Sequence, residues 1–229
     1  MSSVLASYQW HWQVIWEDHH LQYLLGGIKL TVLLTATSFF SGLLLAFFVA
    51  GARLSRFRVV RWVAYVYVEF FRTIPLLLGL LWVYYGIPSI YPGWTLSPFL
   101  SAYLLFTLNI AAILSEALRA GVLSLGKGQR WAGASLGMRP WQISYRILMP
   151  QAFRRVVPVL GSTWVALFKD TALVFVIGLS EITFRSNSIS IETYRQLEIY
   201  TATLLLYFLI TWPQARVVDR LYDKYRTHE

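Results

Sequence analysis

The sequence predicts an all-α protein, a polytopic helical membrane domain of about five transmembrane helices with its N-terminus outside and its C-terminus inside. Three observations carry this reading. Charged residues make up only 14% of the 229 positions while 57% are hydrophobic, whereas a soluble domain carries about a quarter charged residues. Charge is absent from 30–52, 73–115 and 199–215, stretches of 23, 43 and 17 residues, and about 20 apolar helical residues cross a bilayer core. Finally, the basic residues are segregated. Four arginines fall in 53–61, seven Lys or Arg in 119–155 and four in 216–226, while the alternate segments 86–98 and 181–198 hold none and two. Such alternation is the positive-inside signature, so the net charge of +9 reports topology and not a nucleic-acid partner.

The elements follow in order. The first 21 residues contain no Lys or Arg and therefore lack the positive region of a cleavable signal; Trp10, Trp12 and Trp16 mark them as an aromatic interfacial segment. The spans are expected at 25–50, 62–86, 98–120, 157–180 and 199–213. GIPSIYPGW is a short outside turn between the second and third, where Trp82, Tyr84, Tyr85, Tyr91 and Trp94 read as an interfacial belt. Residues 123–156 form a cytoplasmic loop, an outside loop runs to 198, and RVVDRLYDKYRTHE is a cytoplasmic tail. The chain reads as one domain, 1–229, without internal repeats. Its longest stretch outside the spans is 34 residues, too short for an ATPase or another catalytic domain. There is no cysteine, which excludes disulfides and thiolate metal sites. The four histidines, His11, His19, His20 and His228, lack metal-ligand spacing and read as interfacial or solvated.

The cytoplasmic loop holds a compact basic module, GQRWAGASLGMRPWQISYRILMP. Gln129–Leu136 is expected as a short helix with Gly137 as its left-handed stop. Pro140 suits the first turn of a second helix over 141–153, whose apolar face would carry Trp141, Ile143 or Tyr145, Leu148 and Ala152. Such a knob can lie on anionic headgroups or insert into a groove of a partner protein.

Charges inside spans are costly, at about 2.5–3.5 kcal/mol on insertion scales. Glu69 and Arg72, at i,i+3, share a helix face and can pair, either neutralising each other or lining a pathway; Pro75 just beyond them is expected to kink the helix. Lys169 and Asp170 are adjacent, point apart, and each needs a separate partner on another span or on a second subunit, in a polar cavity or interface. Glu116 and Arg119, and Glu181 at the outer end of the fourth span, are expected to cap or pair.

The module resembles the E-A-A loop of bacterial ABC importer membrane subunits. Ala132, Gly137, Ile147 and Pro150 fall on that pattern with its nine-residue gap intact, and Trp131, Gly133 and Met149 depart from it. EFFRTIPLLLGLLWVYYG (69–86), NIAAILSEALRAGVLSLGKGQ (109–129) and LFKDTALVFVIGLSEIT (167–183) resemble the second, third and fourth spans of the polar amino acid permeases of this superfamily. The resemblance covers roughly 22–215. It implies a type I ABC importer permease fold in a bacterial inner membrane; beside it, the cost of charge within spans makes Glu69, Arg72, Lys169 and Asp170, with Pro75, the candidates for the translocation pathway. It also implies that 129–153 couples to cytoplasmic ATP-binding subunits, that a second permease subunit, identical or related, completes the pathway, and that a periplasmic binding protein delivers an amino acid, with glutamate or aspartate as the first choice. The chain itself would bind no cofactor and catalyse nothing; ATP and magnesium would be used by the partner. Two other readings use the same residues differently: a gradient-driven transporter or channel working through Glu69, Asp170 or Glu116, and a membrane-embedded enzyme, for which no span supplies His or Cys.

Overall fold

The computed structural model describes residues 8–125 and 127–225; His228 lies outside the described residues. Those residues form helices and no strand: α1 (His20–Arg53), α2 (Arg58–Thr73), α3 (Leu76–Ile90), α4 (Pro98–Leu123), α5 (Lys127–Ser135), α6 (Pro140–Ile143), α7 (Met149–Asp170), α8 (Ile182–Thr193) and α9 (Gln196–Tyr225). A π turn, Ser144–Leu148, joins α6 to α7, and a 3₁₀ segment, Thr171–Ile177, follows α7. Three helical runs among the described residues are long and apolar enough to cross a membrane: Glu17–Arg53, Pro98–Leu123 and Pro140–Ile177. A fourth appears if α2 and α3 are one bent span. The expected fifth, in α9, has the length at 30 residues. Its 199–213 stretch, however, mixes Tyr200, Thr201, Thr203, Tyr207, Thr211, Trp212 and Pro213 among its leucines, which dilutes its hydropathy.

The bundle is organised on α1 and α4, which pack along each other more extensively than any other pair. Lipid is as apolar as leucine, so helices associate where small residues let backbones close up. On α1 the buried seam is Gly27, Thr31, Thr35, Ser38, Gly42, Ala46 and Ala50, recurring every three or four residues. At Gly42 a side chain would meet Ile110 Cγ2 at 2.7 Å and the Thr107 carbonyl at 3.0 Å, and the Tyr103 hydroxyl donates to Ser41 Oγ at 2.9 Å. Leu34, Phe39, Leu105, Phe106, Leu114 and Leu167 complete the core.

The second span does not merely kink at Pro75. It breaks into α2 and α3 with a bend of 104°. A residue before proline is pushed out of the helical region, and Ile74 is extended at φ −69°, ψ 139°, as is Pro75 at φ −62°, ψ 123°. Without an N–H, Pro75 leaves the carbonyl of Phe71, four residues back, without its helical donor. The Asn109 side-chain amide on α4 donates to that carbonyl at 2.6 Å, and one turn earlier the Tyr67 hydroxyl donates to the Leu108 carbonyl at 2.7 Å.

The end of the bundle that carries α8 and the start of α1 differs from expectation in two places. The segment 180–198 is not a loop. The 3₁₀ segment stops at Gly178, with φ +78°, and α8 follows, capped by the fully buried Glu181. Its carboxylate accepts from the N–H groups of Thr183 at 2.8 Å and Phe184 at 2.7 Å and from the Tyr207 hydroxyl at 3.0 Å. Secondly, His20 is buried and not solvated, with Nδ1 2.6 Å from the Val14 carbonyl.

Residues 8–19 fold back onto the start of α9. Glu198, just ahead of the apolar part of α9, is fully buried; it accepts from the Tyr8 hydroxyl and, at 2.9 Å, from the His11 N–H, with Arg195 Nη1 at 3.8 Å. Burial alone would push this carboxyl up, but the Tyr8 and His11 hydrogen bonds and the Arg195 charge together hold it below the usual Glu value.

Two predictions follow from these contacts. Replacing Asn109 with Leu leaves the Phe71 carbonyl unsatisfied and costs about 1–2 kcal/mol, measured by detergent-titration unfolding; the Pro75→Ala, Asn109→Leu double variant, which restores an N–H at position 75, recovers most of that loss. The Glu198 clasp is fully formed above the ordinary Glu pKa of about 4.3. It is lost as pH falls below that value and through the lowered one, so hydrogen exchange of 8–19 rises over that window in the wild type and is already fast at neutral pH in Glu198→Ala.

Candidate functional site

The knob of 127–148 is built from local backbone rules. α5 ends in a Schellman motif: Gly137 sits at φ +71°, its N–H donates to the Ala134 carbonyl at 3.0 Å, and the Met138 N–H donates to the Gly133 carbonyl at 3.1 Å. The Ala132 carbonyl accepts from Leu136 at 3.2 Å within the same final turn. Pro140 opens α6, where the Gln142 side chain reaches back to accept from the Arg139 N–H at 2.8 Å, half of a capping box. The two halves of the knob meet at Gly133. A side chain there would lie 2.9 Å from Ile143 Cγ1 and 3.2 Å from Ile147 Cδ1, so the glycine that replaces the alanine of the E-A-A pattern brings α5 directly onto Ile143 and Ile147. Pro150 lies in the first turn of α7, directly after the π turn.

The expected second helix over 141–153 is not a separate element. α6 runs through the π turn into α7, which continues to Asp170. The neck is closed by Gly121 against Val156, where a side chain would meet Val156 Cγ2 at 2.7 Å, and by Arg155 Nη1, which donates to the Ser124 carbonyl and hydroxyl at 2.9 and 2.7 Å. Ile143, Leu148 and Ala152 face inward. The expected apolar face is thereby split, because Trp141 and Tyr145 are 59% and 70% exposed and share the outside of the knob with Trp131 at 68%. Arg130, Arg139 and Arg146 flank them, also exposed. Aromatic anchors with flanking arginines make a surface suited to a groove on another protein.

The charges within the spans sort into two kinds. Glu116 on α4 gathers two arginines: Arg119 on its own helix pairs with it, as expected, and Arg53 from α1 donates to Oε2 at 3.2 Å. Glu69, Arg72, Lys169 and Asp170 behave otherwise. The expected Glu69–Arg72 pair does not form, and none of these four side chains has a hydrogen bond or ion pair with another described residue. Arg72 and Lys169 are exposed, and Glu69 and Asp170 half-buried. A cavity of about 550 Å³ does open in the elbow of the broken span, lined by Ile74, Pro75, Leu78, Trp82, Leu104 and Leu108 among others. Its walls are apolar, and Glu69 and Arg72 are not among them. Of the pathway candidates, only Pro75 therefore borders that space.

Sequence reasoning passed over Asn109, Arg53 and the packing role of Gly133. The first had a signal, being an amide within the charge-free stretch 73–115. The third did not, since nothing in a sequence shows how closely Ile143 approaches.

Residues 42–226 match the family described as "Binding-protein-dependent transport system inner membrane component". The L-cystine transport system permease protein TcyB of Bacillus subtilis is 39% identical over 87% of this chain and 86% of its own length. The glutamate/aspartate import permease protein GltK of Escherichia coli is 37% identical over 93% and 97%. Among solved structures, an amino acid ABC transporter crystallised with histidines superposes with a TM-score of 0.88 at 27% identity, over 95% of this chain and all of that one.

Gly133→Leu separates α5 from Ile143 and Ile147. Hydrogen exchange across 127–148 is expected to rise by about tenfold, the effect of about 1.4 kcal/mol, with α1 and α4 unchanged.

Proposed function

Because the chain belongs to the family of binding-protein-dependent transport system inner membrane components, we propose that it is the permease subunit of an ATP-driven amino acid importer in a bacterial inner membrane. The observation that carries this reading is the knob: a rigidly capped helix pair that turns Trp131, Trp141 and Tyr145 away from its own chain. In this reading cytoplasmic ATP-binding subunits dock there, with Ala132, Gly137, Pro140, Ile147 and Pro150 setting its shape. ATP and magnesium are used by those subunits, and this chain binds no cofactor and performs no covalent chemistry.

Alternating access then has this chain paired with a second permease subunit, identical or related. Supporting this is that Glu69, Arg72, Lys169 and Asp170 make no side-chain hydrogen bond or ion pair among the described residues, since charges at membrane depth are kept where they face a cavity, a solute or another subunit. Lys169 and Arg72 are the cations suited to a substrate carboxylate. A periplasmic binding protein delivers the solute. Two of the relatives are named for L-cystine and for glutamate and aspartate; the motif over 69–86 favours the latter branch here.

The test is a mild-detergent pull-down of the tagged chain from its host. An ATP-binding subunit is expected to copurify with the wild type and to be lost with Gly137→Leu. Its absence from a preparation that keeps the permease dimer intact overturns the importer reading in favour of a gradient-driven transporter. In proteoliposomes, Lys169→Met is expected to abolish uptake without loss of the ATP-binding subunit, and unlabelled glutamate or aspartate is expected to compete with uptake better than glutamine or cystine.

A further inference from the structure

At the arginine-rich end of the bundle, α1, α2 and α4 border an open cleft of about 420 Å³ lined by Arg53, Arg58, Arg61, Trp62, Tyr65 and Arg119. The three helices supply these residues for local reasons. Arg53 ends α1, and Arg119 lies one turn before the end of α4. On α2, Arg58, Arg61, Trp62 and Tyr65 recur at i, i+3, i+4 and i+7, which is one stripe of a helix. Four guanidinium groups border the space. The carboxylate beside it, Glu116, is already engaged by Arg53 and Arg119, so positive charge is left in excess.

Arg53 marks this as a binding site and not only a basic surface. Its side chain is 10% exposed, its guanidinium lies 5.0 Å from the centre of the Tyr65 ring, and Nη2 is fixed by Glu116 at 3.2 Å. The other terminal nitrogen, Nη1, is buried and has no hydrogen-bond partner. A buried charged donor without an acceptor is costly and uncommon in folded proteins. Here it belongs to a side chain held in place by a ring and a carboxylate, so it cannot swing out to water. An acceptor from outside the chain would complete it, and the excess of positive charge around it favours an anionic one.

We propose that this cleft binds a phosphate group, with Arg53 Nη1 and the Arg119, Arg58 and Arg61 guanidiniums as donors and Trp62 and Tyr65 as the wall against whatever the phosphate is esterified to. Guanidinium forks match phosphate oxygens, and basic pockets between helices at the membrane surface hold anionic headgroups. The shared chemistry is phosphate, and its source is either the phosphodiester of an anionic lipid or free inorganic phosphate.

The full chain in lipid nanodiscs distinguishes these sources. Tryptophan fluorescence is quenched with brominated phosphatidylglycerol and, in parallel, with brominated phosphatidylcholine, and Trp62→Phe identifies the share of quenching that comes from the site. Inorganic phosphate is titrated calorimetrically into discs of phosphatidylcholine alone. The decisive variant is Arg58→Gln, Arg61→Gln; both side chains are exposed and neither contacts Glu116, and an unchanged melting temperature checks that it folds. A preference for phosphatidylglycerol at Trp62, weakened roughly tenfold in the variant by the loss of two charge-assisted donors, supports a lipid site. No such preference, but a phosphate heat that the variant loses, supports a site for free phosphate. Equal quenching by both lipids with no phosphate heat, or either signal unchanged in the variant, overturns the proposal.

Discussion

The carbonyl of Phe71 is the constraint on which the arrangement turns. In a bilayer core no water relieves an unpaired backbone group, and Pro75 removes the donor that a continuous helix would give this one. The chain resolves the problem by breaking the span and bringing Asn109 to the freed carbonyl at 2.6 Å. A single turn of α4 then does two jobs. Thr107 and Ile110 receive Gly42 of α1 at close quarters, while Leu108 and Asn109 hold Tyr67 and Phe71 of α2 by hydrogen bonds. The bend of 104°, the greasy elbow beneath it and the course of α3 follow from that grip.

The two ends of the bundle satisfy their polar groups in opposite ways. At the end that carries α8, buried carboxyl groups collect mostly neutral donors. Glu181 gathers two backbone N–H groups and a phenol, and Glu198 an N–H and a phenol with the Arg195 guanidinium at 3.8 Å, so that dipoles surround each carboxyl group. At the basic end the charges are cations, gathered on Glu116 and on an aromatic ring. The segregation seen in the sequence as a count of Lys and Arg is thus also a difference in bonding chemistry between the two faces.

Much of the fold was legible. The charge-free stretches located the long helices, Gly137 and Pro140 located the turn of the knob, and Pro75 located the disruption of the second span. What escaped had physical reasons. A hydrophobic count cannot tell a bend from a break, because that depends on whether a neighbouring helix captures the freed carbonyl. The sequence of α8, ITFRSNSISIET, is polar by membrane standards; it is helical because Glu181 caps it and Ser186 and Thr183 find hydroxyls on α9. Spacing at i,i+3 allowed a Glu69–Arg72 pair but could not require one, since α2 ends at Thr73 and both side chains sit on its last turn. Of the site, the knob was readable from turn chemistry, while its glycine-to-isoleucine closure and the arginine-lined cleft depend on distances that no pattern encodes.

The junction between knob and membrane has a mechanical consequence. From Pro140 to Ile177 the chain is one helical run of 38 residues, with a tryptophan at its exposed tip and the lysine and aspartate near its far end. Such a rod transmits torque as well as push. Its regular hydrogen bonding is interrupted at the π turn of 144–148 and at Pro158, whose missing N–H removes one helical hydrogen bond. The neck contacts at Gly121 and Ser124 lie between Trp141 and Lys169 on this run, so they set the point about which a tilt of the knob would be carried toward Lys169.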